Sequence, residues 1–296
     1  MNATQGQQGT DQQELWNGRA GCAWVEAQDA LDRMFRPFED LLVQQVPAGS
    51  GWSMLDVGCG TGATTLALAR RTSPGGRAVG IDISEPMITL ARQRAESEGS
   101  AASFLVADAQ THIFEPSFDL VTSRFGVMFF SDPVAAFANL KTSLRPGGTL
   151  AAIAWRAAAE NPFMTTAERA AAPLLPDMPA RRPDGPGQFA FADRGKVTSI
   201  LNESGWAEVD LQPLDIACAL PAADIISRIW VREYRAIEVS FNAWGAMIAC
   251  CSSWSHFSTV SRNRTFENGI GSPARQTSAQ SPNRAKHSSH SRLVRK

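Results

Sequence analysis

The sequence predicts an α/β fold: a doubly wound, mostly parallel sheet with flanking helices, its C-terminal part incomplete. Three observations predict it. Short apolar, strand-like runs alternate with helix-length periodic segments from residue 53 to residue 155. Clusters of glycine, proline and serine punctuate the changes of type. One junction, LDVGCGTG at residues 55–62, sets three glycines at alternate positions between an apolar strand and a helix.

Each element has a local reason. Residues 1–14 are rich in Gln, Gly and Thr, have nothing to bury and read as disordered. Residues 15–46 form a helical cap, with Trp24, Leu31, Met34, Phe35, Phe38 and Leu42 recurring at helical spacings. Residues 47–51, PAGSG, are a turn, and 53–57 are strand one. A helix over 63–71 follows the glycines and breaks at SPGG, 73–76. Strand two spans 77–82. Ser84 is placed to N-cap the next helix, with Pro86 in its first turn and Gly99 at its end. Strands three and four span 103–107 and 118–123. Asp132-Pro133 opens a helix that Pro146-Gly147-Gly148 stops, and 149–155 is strand five.

Beyond Trp155 the rhythm loosens. Residues 165–172 and 192–205 read as helices, 173–187 as a proline-rich loop, 206–218 as extended, and 222–244 as a helix. The expected organisation is a core at 47–158, substrate-side helices and remaining sheet at 159–251, and a basic, disordered tail at 252–296. Residues 257–296 carry eight Lys/Arg and one acid, against 28 and 29 in the whole chain. The remainder therefore holds 20 basic and 28 acidic residues. Such a body argues against nucleic acid as its partner, and the tail suits an acidic partner if it binds one. Five cysteines without C-x-x-C spacing suggest a reducing compartment, and no apolar run approaches a membrane span, so the expectation is a cytoplasmic protein.

The glycine junction points to a ligand. Glycine lets another molecule approach the backbone, and the helix start offers unpaired N–H groups. Asp82 closes strand two, 20 residues past Gly62, where a carboxylate suits ribose hydroxyls; the alternative is a helix cap, a task Ser84 can perform. Asp108 closes strand three and suits an exocyclic adenine amine. An adenosine-containing cofactor fits both. GCGTGA also satisfies G-x-G-x-x-G/A, which allows a nicotinamide cofactor; Asp56, the third glycine and Asp108 weigh against it.

LDVGCGTG, GIDIS, VADAQ, FDLVTSRFGVMFF and LRPGGTLAAIAW, in that order over residues 50–156, resemble the class I S-adenosylmethionine-dependent methyltransferases. The nearest branch holds the ubiquinone and menaquinone biosynthesis methyltransferases. The resemblance implies a Rossmann-like fold and methyl transfer to a small, apolar or aromatic acceptor. It implies that Gly58, Gly60 and Gly62 pass under the methionine part of the cofactor, with Asp56 orienting the loop. Asp82 would take the ribose, Ile83 and Met87 the adenine faces, and Asp108 and the Ala109 N–H the adenine edge. Arg124 and Phe125 would lie near the methionine.

No strong general base stands out. His112 and Arg124 are the weak catalytic candidates, and Glu160 and Tyr234 are ambiguous. Trp16, Trp24, Phe129, Phe130, Trp155 and Phe163 are candidates for an acceptor pocket, with Phe129 and Trp155 read as core. His287 and His290 lie in the tail and receive no metal role. The family ends in two further strands, the last antiparallel beside strand five. Residues 207–215 are a candidate for the first, and 246–251 a short remnant of the second. The competing readings are an NAD(P)-dependent oxidoreductase and a non-catalytic relative with a degenerate C-terminus.

Overall fold

The computed structural model describes residues 12–174, 185–218 and 294–295. The N-terminal cap is three helices: α1 (residues 12–17), α2 (Arg19–Glu26) and α3 (Gln28–Val43). Then come β1 (Ser53–Val57), α4 (Ala63–Thr72), β2 (Arg77–Asp82), α5 (Glu85–Ser97), β3 (Ser103–Val106) and β4 (Phe118–Arg124). A 3-10 turn at Gly126–Phe129 leads to α6 (Pro133–Thr142) and β5 (Leu144–Ile153). Helices α7 (Pro162–Ala171) and α8 (Arg194–Glu203) follow, with β6 (Val294–Arg295) closing the order.

The sheet order is β3-β2-β1-β4-β5-β6, parallel from β3 to β5 and antiparallel at β6. Right-handed crossovers from β1 run outward through α4 and α5, whereas the crossover from β4 runs the other way through α6. The direction of winding therefore reverses between β1 and β4, which opens a crevice at their carboxyl ends. Alternation sends Leu55, Val57 and Val121 into the core that holds Phe137 and Leu140 of α6. It sends Met54 and Leu120 against Leu68 of α4 and Val46. Each of these side chains is essentially fully buried, so both faces are shielded from water.

The expected caps are present. Ser84 Oγ accepts from Met87 N–H (3.5 Å), and Asp132 Oδ1 from Ala135 N–H (3.0 Å). Helix α8 gains a third such cap from Asp193, which accepts from Lys196 N–H (2.8 Å). Trp206 Nε1–H donates to the Phe137 carbonyl (3.1 Å), which fastens the end of α8 to α6.

Four expectations need correction. Helix begins at residue 12, inside the stretch read as disordered, because Trp16 docks edge-to-face on Phe129 at 5.0 Å, a partner far along the chain. Strand five begins at Leu144, not after the Pro-Gly-Gly stop. Its pairing steps from Phe118↔Leu144 to Leu120↔Thr149, so a bulge absorbs the prolyl-glycyl segment without ending the strand. Among the described residues, 207–215 form no strand and only Ala207 makes an isolated bridge; Val209, Leu211 and Ile216 pack on the core. The place beside β5 is taken by Val294–Arg295, so these two residues of the basic tail belong to the sheet. A sheet edge offers unpaired backbone groups that any extended segment can satisfy. The 222–244 helix, the 246–251 remnant, Tyr234, His287 and His290 lie outside the described residues.

One side chain ties the two central strands together. Ser123 Oγ, fully buried, donates to the Val57 carbonyl (2.7 Å) and accepts from the N–H groups of Gly126 (3.1 Å) and Val127 (3.2 Å). Ser123→Ala leaves the Val57 carbonyl and the N–H groups of Gly126 and Val127 short of a partner. It should lower unfolding free energy by about 2 kcal/mol, read as a lower urea midpoint at unchanged slope. An unaltered midpoint would refute the clamp.

Candidate functional site

The glycines at the tip of β1 do three different jobs. Gly58, Gly60 and Gly62 all take left-handed φ (64°, 54° and 87°). A Cβ on Gly58 would sit 2.5 Å from Gly126 Cα, and one on Gly126 would sit 2.7 Å from Gly58 Cα. These two backbones cross with no room for a side chain between them. A Cβ on Gly62 would meet Phe104 at 2.9 Å and Ala91 at 3.0 Å, so Gly62 serves helix packing. Gly60 differs. A Cβ there would meet only Met87 Sδ, at 3.6 Å, which leaves its backbone free for close approach by a ligand.

Asp82 ends β2 and is buried. Its Oδ2 accepts from Gly60 N–H (2.8 Å) and its Oδ1 from Ser84 N–H (2.9 Å). Burial raises its pKa, and hydrogen bonds from Ser84, Gly60 and Ile83 N–H oppose that rise. Asp82 thus ties the glycine loop to the turn that opens α5, and Ser84, not Asp82, performs the helix cap. Ile83 and Met87 sit at that same turn. Asp108 follows β3, where its Oδ1 accepts from Gln110 N–H (2.8 Å). The Ala109 and His112 carbonyls both accept from Asn139 Nδ2 (3.0 and 2.8 Å), which ties the loop after β3 to α6.

A buried polar column runs beneath this edge. Asp56 and Thr122 are register neighbours on β1 and β4, and Arg124 lies two residues further along the same side of β4. Asp56 is 1% exposed, and its Oδ2 accepts from Thr65 Oγ1 (2.7 Å). Asp56 Oδ1, Thr122 Oγ1 and Arg124 Nη1 are buried with no hydrogen-bond partner among the described residues. Helix α3 adds Glu39, 4% exposed. Burial pushes the Asp56 carboxyl up to about 7, against the pull of the Thr65 hydroxyl and of Arg124, with Asp82 and Glu39 adding to the rise. Glu39 is likewise raised by burial, and Arg124 and Arg36 oppose it. Three orphaned polar atoms of both signs in one buried column suit a ligand that carries both an acceptor and a donor.

An aromatic wall stands next to the column. Phe125 holds a left-handed φ of 70°, rare for a non-glycine residue, and its ring stacks on Trp155 at 4.3 Å and 12°. Phe35 and Phe38 of α3 close on both rings at 5.2–5.9 Å, and Phe163 meets Trp155 at 5.9 Å. Trp24 stacks beside Phe35 at 6.4 Å, and Trp16 bridges from Trp24 to Phe129. Trp155 is core, as expected. Phe129 is half-buried at the core's edge, and Phe130 sits edge-on to Phe137. His112 sits edge-to-face on Phe114 at 4.8 Å, and Glu160 pairs with Arg156 at 3.2 Å.

Several residues escape sequence reading. Glu39 and Asn139 have no motif, Gln110 and Ser123 lie in motifs that assign them no role, and Ser123, Gln110 and Asn139 act through partners distant in the chain. Asn17 is another, since its Nδ2 donates to the Ile83 carbonyl (3.0 Å) and its Oδ1 accepts from Glu85 N–H (2.8 Å). The neighbouring Trp16 carbonyl accepts from Ser84 Oγ (2.6 Å). The one available signal was Glu39, an acid on the otherwise apolar side of α3. No cluster of three His, Cys, Asp or Glu among the described residues is arranged to hold a metal ion. No described helix is long and apolar enough to cross a membrane.

A methyltransferase-domain model matches residues 54–148, which hold the glycine loop, Asp82 and Asp108. Over residues 54–148 the chain is similar to methyltransferase domains. Nocamycin O-methyltransferase of Saccharothrix syringae is 38% identical over 118 residues, 39% of this chain and 42% of the relative. Demethylmenaquinone methyltransferase of Thermus thermophilus is 39% identical over 112 residues, 38% of this chain and 49% of the relative. The chain thus spans under half the length of these curated relatives. Phosphoethanolamine N-methyltransferase 2 of Haemonchus contortus, solved with S-adenosyl-L-methionine, superposes with a TM-score of 0.50 at 18% identity. It covers 83% of this chain and 56% of its own, and shares the fold. The methyltransferase domain agrees with the motif resemblance and disfavours the nicotinamide reading.

Two predictions arise from this geometry. A carboxyl with a folded pKa of about 7 keeps its proton while the unfolded chain, near 3.8, releases it, so native stability falls as pH climbs between those values. Asp56→Asn retains an acceptor for Thr65 and removes the titration. Relative to wild type, the variant should gain melting temperature between pH 5 and pH 8, and parallel profiles would argue against a protonated Asp56. Secondly, Gly60→Ala should cost only the ~1–2 kcal/mol of a left-handed alanine. Gly58→Ala should cost more in urea unfolding because its Cβ meets backbone, and equal losses would remove the crossing contact as a constraint.

Proposed function

We propose that this chain transfers a methyl group from S-adenosylmethionine to a small, apolar or aromatic acceptor, in the cytoplasm. The observation that carries the proposal is the open backbone at Gly60, flanked by Asp82 on one side and by the orphaned Asp56 Oδ1 and Arg124 Nη1 below. The residues present fit the cofactor. Gly60 offers backbone without a side chain, between the packing glycines Gly58 and Gly62. Arg124 and Asp56 offer a cation and an acceptor to an amino-acid end. Asp82 has carboxylate lone pairs left for ribose hydroxyls. Asp108 and the Ala109 N–H would meet the adenine edge, and Ile83 and Met87 its faces.

Bound there, S-adenosylmethionine supplies a methyl group activated on a positive sulfur. The chain supplies placement and exclusion of water. Orienting two bound reactants can lower a barrier by roughly 7–11 kcal/mol, so no covalent nucleophile is required of this site. Phe125 and Trp155 are buried with Phe35 and Phe38 in an apolar cluster beside Arg124, and aromatic faces favour a nearby cation. Relatives named for nocamycin and demethylmenaquinone support an aromatic or quinone-like acceptor. His112, held on Phe114, and Arg124 take no proton-transfer role in this reading.

Calorimetric titration with S-adenosylhomocysteine and with NADH tests the cofactor. Binding of the first and not the second is expected, and the reverse would reject the proposal. Asp82→Asn replaces an acceptor oxygen of the loop tie and should raise the S-adenosylhomocysteine Kd about 10- to 100-fold, the worth of a charge-assisted hydrogen bond. Labelled-methyl transfer to a panel of quinones, phenols and carboxylic acids tests the acceptor. Cofactor binding with no transfer to any of them would favour a non-catalytic role.

A further inference from the structure

We propose that Arg94 is a positioning residue for the glycine loop, and that through Asp32 it links the loop to the helix bearing the acceptor-side aromatic wall. The proposal rests on the reading of residues 58–62 as the cofactor loop. Arg94 lies in the last turn of α5, where nothing in the motif pattern marks it. Its Nη1 donates to the Thr61 carbonyl (2.7 Å), between Gly60 and Gly62. Its Nη2 donates to Asp32 Oδ2 (2.8 Å) on α3, and Gln28 Nε2 donates to the same oxygen (2.5 Å). One guanidinium thus joins the cofactor loop to the cap.

The loop is gripped from two sides. Asp82 takes the N–H of Gly60, and Arg94 takes the carbonyl of the following residue, Thr61. Glycines on either side give that peptide little stiffness of its own, so side-chain contacts set its position. Charge-assisted hydrogen bonds from a planar fork fix direction as well as distance. The Arg94 and Asp32 side chains are each 20% exposed, which shields them from solvent better than a surface pair. On α3, Phe35 and Phe38 follow Asp32 by one and two turns, so a displacement of Asp32 carries the aromatic wall with it. A groove of about 370 Å³ lies between α3, α4 and α5, bordered by Asp32 and Arg94, so truncating Arg94 places open space behind the loop. The same groove supplies a control. Arg70 pairs with Glu98 at 2.7 Å, links α4 to the end of α5, and is 56% exposed.

The test compares Arg94→Met, Arg94→Lys, Asp32→Asn and Arg70→Met by two measurements. One is the S-adenosylhomocysteine Kd. The other is hydrogen–deuterium exchange over residues 58–66 of the ligand-free protein. Arg94→Met should speed exchange in that segment and raise Kd at least tenfold. Asp32→Asn should act in the same direction, and the double variant should bind no more weakly than Arg94→Met alone, since both act through one link. Arg94→Lys can still reach one partner and should recover part of the affinity. Arg70→Met should change neither measurement, whatever it does to melting temperature. Wild-type exchange over 58–66 in Arg94→Met, with Kd within twofold of wild type, overturns the proposal. Should Arg94→Met not fold, Asp32→Asn and Arg94→Lys decide by the same criteria. Should wild type bind no S-adenosylhomocysteine, the cofactor reading falls, and the exchange measurement still decides whether Arg94 holds the loop.

Discussion

The site depends on one close contact, the crossing of backbone at Gly58 and Gly126. It sits where the winding of the sheet reverses, between β1 and β4. Only there do two neighbouring strands send their connections to opposite faces, so only there does the carboxyl edge open. The two glycines let the loops leaving those strands touch, and Ser123 bonds across beneath them. Beside that contact, Asp82 holds the Gly60 N–H and Phe125 takes its left-handed conformation.

Beneath the rim the structure tolerates an arrangement that a purely structural core would avoid. Two carboxyls, a guanidinium and a threonine hydroxyl are buried together, and three of their atoms lack partners among the described residues. Each orphaned group is costly to hold away from water. The rise in both carboxyl pKa values is the same cost seen as proton affinity. Such a column makes sense where a polar ligand completes it.

The cap joins the two halves of the site. Helix α1 rests on the β2–α5 turn through Trp16, Asn17 and Ser84. Helix α3 lays Phe35, Phe38 and Glu39 over the end of β4, and its Asp32 reaches Arg94. The segment N-terminal to residue 54 therefore touches the glycine loop and the aromatic wall at once. Glycine loop, polar column and aromatic wall are held by one set of helices, so placement of one constrains the others.

The sequence by itself determined the alternation of elements, the glycine junction, the two strand-end aspartates and the helix caps. These are local patterns, in which the residue types and their spacing carry the physics. It also determined that α3 has an apolar side, and it marked Trp155 as core. Only the tertiary structure decided which glycine is open, because Gly58 and Gly62 are filled by partners, Gly126 and Phe104, that no local window contains. Only it revealed Asp82 as a loop tie, Glu39 and Arg124 as members of one buried column, and Arg94 as a link between α3 and the loop. The bulge that carries Pro146 within strand five, and the pairing of residues 294–295 with that strand, were hidden for the same reason. Strand pairing and side-chain partnership join residues far apart in the chain, and no local pattern records the distance between them.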